Sequence, residues 1–259
     1  MVFSMSDGLV LLPPESERYR AELLFLHGLW VDSRVWRGVA SGFAHRGWTC
    51  LLAGPAPSSA ESDATSRLHR AEAAARGREV PPVAIGHDAG ALVALDLAAR
   101  GLVRAAVAIA PLLDGSAAVQ PRIARLVHRL RADRAPVAPP DPGHPYFAHV
   151  ADARRAELAG ALGPETAGAL REVDRLASPA RPVVPALLVV SQDDPVSSPV
   201  LAEICARGIE ADFLRVPRGG HWPLLDPRAD DWITQVHRWL IRNAGQDLLV
   251  LRGDEDLVD

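Results

Sequence analysis

Residues 83–99 constrain the fold more than any other stretch of the chain. An apolar run, Val83-Ala84-Ile85, passes straight into Gly86-His87-Asp88-Ala89-Gly90, and a helical pattern then covers Ala89–Ala99. The first run reads as a buried strand and the last as a helix, so the residues between them must turn the chain sharply. Such a turn forces the middle side chain, Asp88, outward, and a glycine on each side lets the two backbones approach. Strands that alternate with helices in this way predict a mostly parallel sheet covered by helices on its faces.

The rest of the chain keeps that rhythm. Leu23-Leu24-Phe25-Leu26 reads as a buried strand ending at His27-Gly28, and Val35, Val39 and Phe43, four residues apart, make a helix face closed by Gly47. Further strands are expected at 49–52, 107–109, 187–190 and 213–216, and a polar helix over about 63–76. Asp226-Pro227 offers an N-cap and a first-turn proline for a final helix through Trp239. Between Pro111 and Arg181 the alternation stops. Helical spacing at Ile123, Leu126, Val127 and Leu130 and the loop Pro139-Pro140-Asp141-Pro142-Gly143 take its place. The organisation expected is a core of residues 1–111 and 182–244, a helical cap over 112–181, and an acidic tail over 245–259 with one apolar patch at 248–251.

Composition removes several classes of function. A chain of 259 residues can bury one large core, and 48% hydrophobic with 23% charged residues is ordinary for a globular domain. A net charge of −4 gives no basic face for a nucleic acid to neutralise, so no nucleic-acid partner is expected. Nowhere do about 18 apolar residues run without a charge, and no basic stretch precedes an apolar leader. The expectation is a cytoplasmic protein without a membrane partner. Cys50 and Cys205 have neither zinc nor redox spacing and read as buried free thiols, and no metal or other cofactor is expected. All 28 basic residues are arginine, which reads as the coding bias of a GC-rich bacterial genome.

Three further motifs follow in order around the turn at Asp88: His27-Gly28-Leu29-Trp30, Ser191-Gln192-Asp193-Asp194-Pro195 and Gly219-Gly220-His221-Trp222-Pro223. With that turn they make the whole chain resemble the α/β-hydrolase family, which implies an α/β-hydrolase fold with an inserted helical cap. The resemblance puts Asp88 at the nucleophile position, where most relatives hold serine. It implies His221 as the base and, as the acid, Asp194 before Pro195 rather than Asp193. The backbone N–H groups of Leu29 and Ala89 are the implied oxyanion hole. His27 and His87 are implied as scaffold around the site, and Asp114 reads as a helix cap.

A carboxylate at the nucleophile position changes the chemistry. Attack on an acyl carbon would give an anhydride, whereas attack on an alkyl carbon gives an ester of Asp88 that water can release. Family members with this aspartate resemble haloalkane dehalogenases, haloacid dehalogenases and epoxide hydrolases. The dehalogenases commonly carry Trp or Arg directly after the nucleophile, and here Ala89 stands there. The epoxide hydrolases protonate the opening oxygen from the cap, with a Tyr pair or a His with a Tyr. Of the two tyrosines in the chain, Tyr19 precedes the core sheet and Tyr146 lies between His144 and His149. Those hydrolases usually have Pro where this chain has Trp30. Trp30 and Trp222 are expected to wall the pocket, with an indole N–H offered to halide as the other possibility.

The leading expectation is therefore a hydrolase opening an epoxide, or displacing another alkyl leaving group, on a small and largely apolar substrate. Two alternatives stay open. One is a lyase, cyclase or isomerase of specialised metabolism in which Asp88 and His221 only move protons. The other is a binding protein on the same fold. Oligomeric state stays open as well.

Overall fold

The computed structural model describes residues 4–6, 9–53, 67–113, 137–141 and 144–244. Among the described residues eight strands form one sheet: β1 (Ser4–Ser6), β2 (Leu9–Leu12), β3 (Leu23–Leu26), β4 (Cys50–Ala53), β5 (Val83–His87), β6 (Ala105–Ile109), β7 (Ala186–Ser191) and β8 (Asp212–Val216). Their order is β1-β2-β4-β3-β5-β6-β7-β8. From β4 to β8 all neighbours pair in parallel, and β1 and β2 add an antiparallel hairpin on the outer side of β4. That hairpin is not legible beforehand, because its few residues have no strong alternation: β1 pairs with β2, and β2 alone joins the hairpin to β4.

Every residue of β3, β5, β6 and β7 is buried. This explains why these strands read as continuous apolar runs, since helices cover both of their faces. The helices are α1 (Arg37–His45), α2 (Arg67–Arg76), α3 (Ala89–Ala99), α4 (Asp152–Ala161), α5 (Ala167–Leu176), α6 (Pro199–Gly208) and α7 (Ala229–Asn243). α1 packs against α7, while α3 packs against α2 and α5. α3 is apolar except at Asp96, and nine of its residues, Ala89 to Leu95 with Leu97 and Ala98, are buried. A helix without a polar face needs cover on every side.

The chain leaves β3 for β4 on one side and returns to β5 on the other. The carboxyl ends of β3 and β5 therefore flank a reversal in strand order, where a crevice forms in open α/β sheets. The turns that carry Leu29 and Asp88 lie there.

The last helix differs from expectation. Asp226 and Pro227 do not start it: a 3-10 turn at Pro223–Leu225 comes first, and α7 begins at Ala229 after Arg228 with no side-chain cap. The Asp226 carboxylate instead accepts from the Arg228 backbone N–H at 2.8 Å and pairs with its guanidinium, so it closes a local turn two residues earlier. β3 has its expected bounds, β4 lies one residue later than expected, β5 to β8 run one or two residues beyond theirs, and the polar helix is described from Arg67. Cys50 is buried and Cys205 half-buried, and both are free, so the expectation of burial holds for the first only.

Among the described residues between β6 and β7, helices α4 and α5 and a 3-10 turn at Pro145–Phe147 appear, and no strand of the sheet. Asp114, the helical spacing at 123–130, Pro142-Gly143 and the tail 245–259 lie outside the described residues. No described helix is long and apolar enough to cross a membrane.

Candidate active site

β5 delivers Asp88 to the carboxyl edge of the sheet in a conformation that L-residues rarely adopt, with φ 59° and ψ −118°. The turn is tight enough that a Cβ on Gly86 would stand 2.0 Å from the Gly90 carbonyl oxygen, and one on Gly90 2.2 Å from that of Leu26. Only glycine fits at either position. The expectation drawn from the Gly-x-Asp-x-Gly pattern is thus met by direct backbone contact.

Asp88 is fully buried and its two carboxylate oxygens have separate environments. Oδ1 accepts from the backbone N–H groups of Leu29 at 2.9 Å and Ala89 at 2.5 Å. Oδ2 faces the Nε2 of His221 at 3.0 Å and accepts from the Tyr146 hydroxyl at 3.2 Å. The two backbone donors implied for an oxyanion hole thus hold one oxygen of the aspartate itself.

His221 leaves the far side of its ring to Asp194, whose carboxylate oxygens stand 3.0 and 3.2 Å from Nδ1. The Asp194 side chain is fixed in turn by the N–H groups of Val196 at 2.8 Å and Ser197 at 2.9 Å. Asp193 is exposed beside it. Burial disfavours a charged His221 ring, but the carboxylates of Asp194 and Asp88 outweigh it and raise the pKa to about 9. Burial likewise pushes the Asp88 carboxyl up, and its hydrogen bond and ion pairing with His221 more than offset this, so it lies below its ordinary range. At neutral pH the site holds an imidazolium between two carboxylates. Burial, then the Asp88 charge, lift the Tyr146 hydroxyl well above its ordinary value, so it stays protonated and can donate.

The remaining residues singled out from sequence separate into neighbours of this cluster and bystanders. Trp30 and Trp222 are buried, and each indole N–H is already used: Trp30 Nε1 donates to the Val137 carbonyl at 3.2 Å and Trp222 Nε1 to the Tyr146 carbonyl at 2.7 Å. With both donors engaged in this way, neither N–H is available to a halide. Their rings meet Tyr146 edge-on, at centroid distances of 5.6 and 5.4 Å. His144 is half-buried, and its Nδ1 accepts the Tyr146 backbone N–H at 3.1 Å, so it braces the tyrosine from behind. His149 is exposed and lies against Gly220, and it is not one of the four donors on Asp88. The expected His/Tyr pair is thus one tyrosine on Asp88 with a histidine holding its backbone.

Tyr19 stacks on Trp48 far from these groups in the sheet's cover. His27 and His87 are buried, and burial lowers the pKa of each to about 4, so both rings are neutral. His87 Nε2 donates to the His221 carbonyl at 2.7 Å, which ties the turn at Asp88 to the loop of His221. Among the described residues no group of three or more His, Cys, Asp or Glu side chains could hold a metal ion.

Sequence reasoning missed Arg67, Glu165 and Glu172. All three are buried: Arg67 pairs with Glu165 and donates to the Gly28 carbonyl at 3.2 Å, and Glu172 accepts the N–H groups of Arg67 and Leu68. Glu165 also accepts the Trp30 backbone N–H at 2.9 Å. The only signal in the sequence is a charge in a segment that is otherwise apolar or solvated, and nothing there marks which charge is buried.

The fold and the order of these groups define the class: the chain belongs to the alpha/beta hydrolase family, whose model matches residues 23–230. Among solved structures it is similar to the monoacylglycerol lipase of Paleococcus ferrophilus, at 14% identity over 93% of this chain and 99% of that one, with a TM-score of 0.71. A soluble variant of the Saccharomyces cerevisiae monoglyceride lipase gives 12% identity, 93% and 94% coverage, and a TM-score of 0.71. A putative non-heme bromoperoxidase of Mycobacterium tuberculosis gives 17%, 93% and 96%, and 0.68. At these identities the likeness is one of fold. No curated protein matches the chain by sequence.

Proposed function

We propose that the protein is a cofactor-independent hydrolase that opens an epoxide, or displaces another alkyl leaving group, through an ester of Asp88. The observation that carries this reading is the division of labour within the Asp88 carboxylate. Oδ1 already sits on the Leu29 and Ala89 N–H groups, where an ester carbonyl must be polarised, while Oδ2 faces the proton donors. An acyl substrate would have to displace Oδ1 from that hole and would yield an anhydride, so lipase or esterase chemistry fits this site poorly.

In the proposed reaction Asp88 Oδ2 attacks a ring carbon, the carbon–oxygen bond of the epoxide breaks, and the departing oxygen takes the proton of Tyr146. The imidazolium of His221 returns a proton to Tyr146, which leaves a neutral histidine beside an uncharged ester. Loss of the Asp88 charge removes one of the groups that raise the His221 pKa, so the ring becomes a competent base at the stage that needs one. His221, oriented by Asp194, then takes a proton from water as its oxygen adds to the ester carbon. The oxyanion forms on the Leu29 and Ala89 N–H groups. Collapse expels the alcohol oxygen, which takes the remaining acid proton, and restores the carboxylate–imidazolium pair. Epoxides are favoured over haloalkanes because a hydroxyl reaches Oδ2 while both nearby indole N–H groups are engaged. In this reading residues 112–181 cap a small, largely apolar substrate, with Trp30 and Trp222 as walls.

One observation favours the second reading, proton transfer without an ester. The oxygen that would attack is engaged by two donors, which also suits a base in a lyase or isomerase. Incubating a panel of epoxides and haloalkanes with the protein and with a His221→Gln variant, followed by intact mass, separates the two. A substrate-mass adduct on the variant, with diol released by the parent, supports the ester. Turnover without an adduct supports proton transfer, and binding without turnover removes both.

A further inference from the structure

The two N–H groups on Asp88 Oδ1 are held in place very differently. Ala89 N–H is the first of α3 and is aimed by the turn at Asp88 itself. Leu29 N–H belongs to the turn after β3, and the next residue, Trp30, sits at φ 59°, a left-handed conformation that a bulky residue adopts only when its surroundings hold it. What holds it comes from the segment between β6 and β7. The Trp30 N–H donates to the Glu165 carboxylate at 2.9 Å, its carbonyl accepts from Gly163 N–H at 2.8 Å, and its indole donates to the Val137 carbonyl. Val137 and Glu165 exchange two backbone hydrogen bonds of 2.7 and 2.8 Å, so these contacts form one unit. Arg67 closes the ring from the core, pairing with Glu165 and donating to the Gly28 carbonyl on the other side of Leu29.

We propose that Glu165 is a positioning residue: through Trp30 it aims Leu29 N–H at Asp88, so the oxyanion hole is half core and half cap and is complete only when the cap segment is seated. The kinetic consequence rests on the proposed ester chemistry. The Leu29 hydrogen bond stabilises the resting carboxylate as well as the oxyanion of ester hydrolysis. Its loss therefore leaves alkylation little changed and slows release of the ester.

Two variants test this, Glu165→Ala and Gly163→Pro. The second deletes the donor to the Trp30 carbonyl without changing the Glu165 side chain, at a position where a Cβ meets nothing within 4 Å and where the preceding residue is extended, at φ −72° and ψ 138°. In both, with selective 15N labelling, the Leu29 amide resonance is expected to move upfield while that of Ala89 stays in place. With a substrate, release of the ester slows about 10- to 100-fold in Glu165→Ala, so that an adduct builds up with His221 intact, while alkylation changes by less than about threefold. Glu165→Gln keeps an acceptor for the Trp30 N–H and is expected to recover most of the Leu29 shift. An unmoved Leu29 resonance in folded Glu165→Ala overturns the role of Glu165, and one in folded Gly163→Pro overturns the dependence of Leu29 on the cap segment, whether or not Glu165→Ala folds. Equal movement of Leu29 and Ala89, or equal slowing of both steps, marks a merely structural role and overturns it too. If no variant, His221→Gln included, forms an adduct, the ester reading fails and the Leu29 resonance still decides the positioning role.

Discussion

The sheet core and the described segment between β6 and β7, where a cap is expected, meet at Asp88 with opposite means. The core contributes backbone groups whose direction follows from a few neighbouring residues: Gly86 and Gly90 permit the turn, and α3 aims Ala89 N–H. The cap segment contributes side chains over long separations. Tyr146 lies 58 residues from Asp88, and Glu165 lies 135 residues from the Trp30 N–H that it accepts. The core half of the site thus rests largely on contacts between residues close in sequence, whereas the other half rests on contacts between residues far apart in the chain.

The largest effect expected from breaking the core half is that of Asp88→Asn. An amide cannot displace an alkyl leaving group, and product formation should fall on the order of 10⁴-fold or more while the fold, read by circular dichroism, stays intact. Retained turnover in that variant would remove the ester. On the cap side, Tyr146→Phe deletes the proton donor and should slow alkylation by about 10²- to 10³-fold without slowing hydrolysis of a preformed ester, as measured by single-turnover kinetics. Equal slowing of the two steps would mean that Tyr146 packs the site rather than donating to it.

The charged cluster itself gives a pH signature. The His221 pKa stands above its ordinary value of 6.5, at about 9, so the stability it contributes is fully present below about pH 6.5 and is lost as pH rises through about 9. Thermal unfolding from pH 6 to pH 10 should show a steeper decline in the parent than in His221→Gln, and parallel curves would contradict the ion pairing. The smallest effect belongs to the cap alone. The Thr166 hydroxyl caps α5 by accepting from Ala169 N–H at 3.1 Å, and Thr166→Ala should cost about 1 kcal/mol in denaturant unfolding. If that variant also slows ester release as Glu165→Ala is expected to, cap stability and oxyanion geometry are one property rather than two.

Much of this was legible in the sequence because it is local. Val83–Ala99 dictates strand, turn and helix in succession, since apolar runs buried on both faces and glycines in contact leave no other arrangement. The Asp194-Pro195 and Gly220-His221 motifs could be placed in order, because each ends a strand whose run is apolar enough to recognise. The start of α7 was misplaced because Asp226 has two uses for its carboxylate, a helix cap or a turn with Arg228, and propensity does not rank them. The sequence by itself determined which backbone turns face one another at the end of the sheet. Only the tertiary structure decided that Asp88 Oδ1 lies between the N–H groups of Leu29 and Ala89, that both indole N–H groups are engaged, and that Glu165 and Arg67 are buried against the turn of Leu29. The reason is physical: a chain's periodicity records which side of an element is buried, whereas the partner of a buried polar group is chosen by whatever the folded chain brings within 3 Å of it.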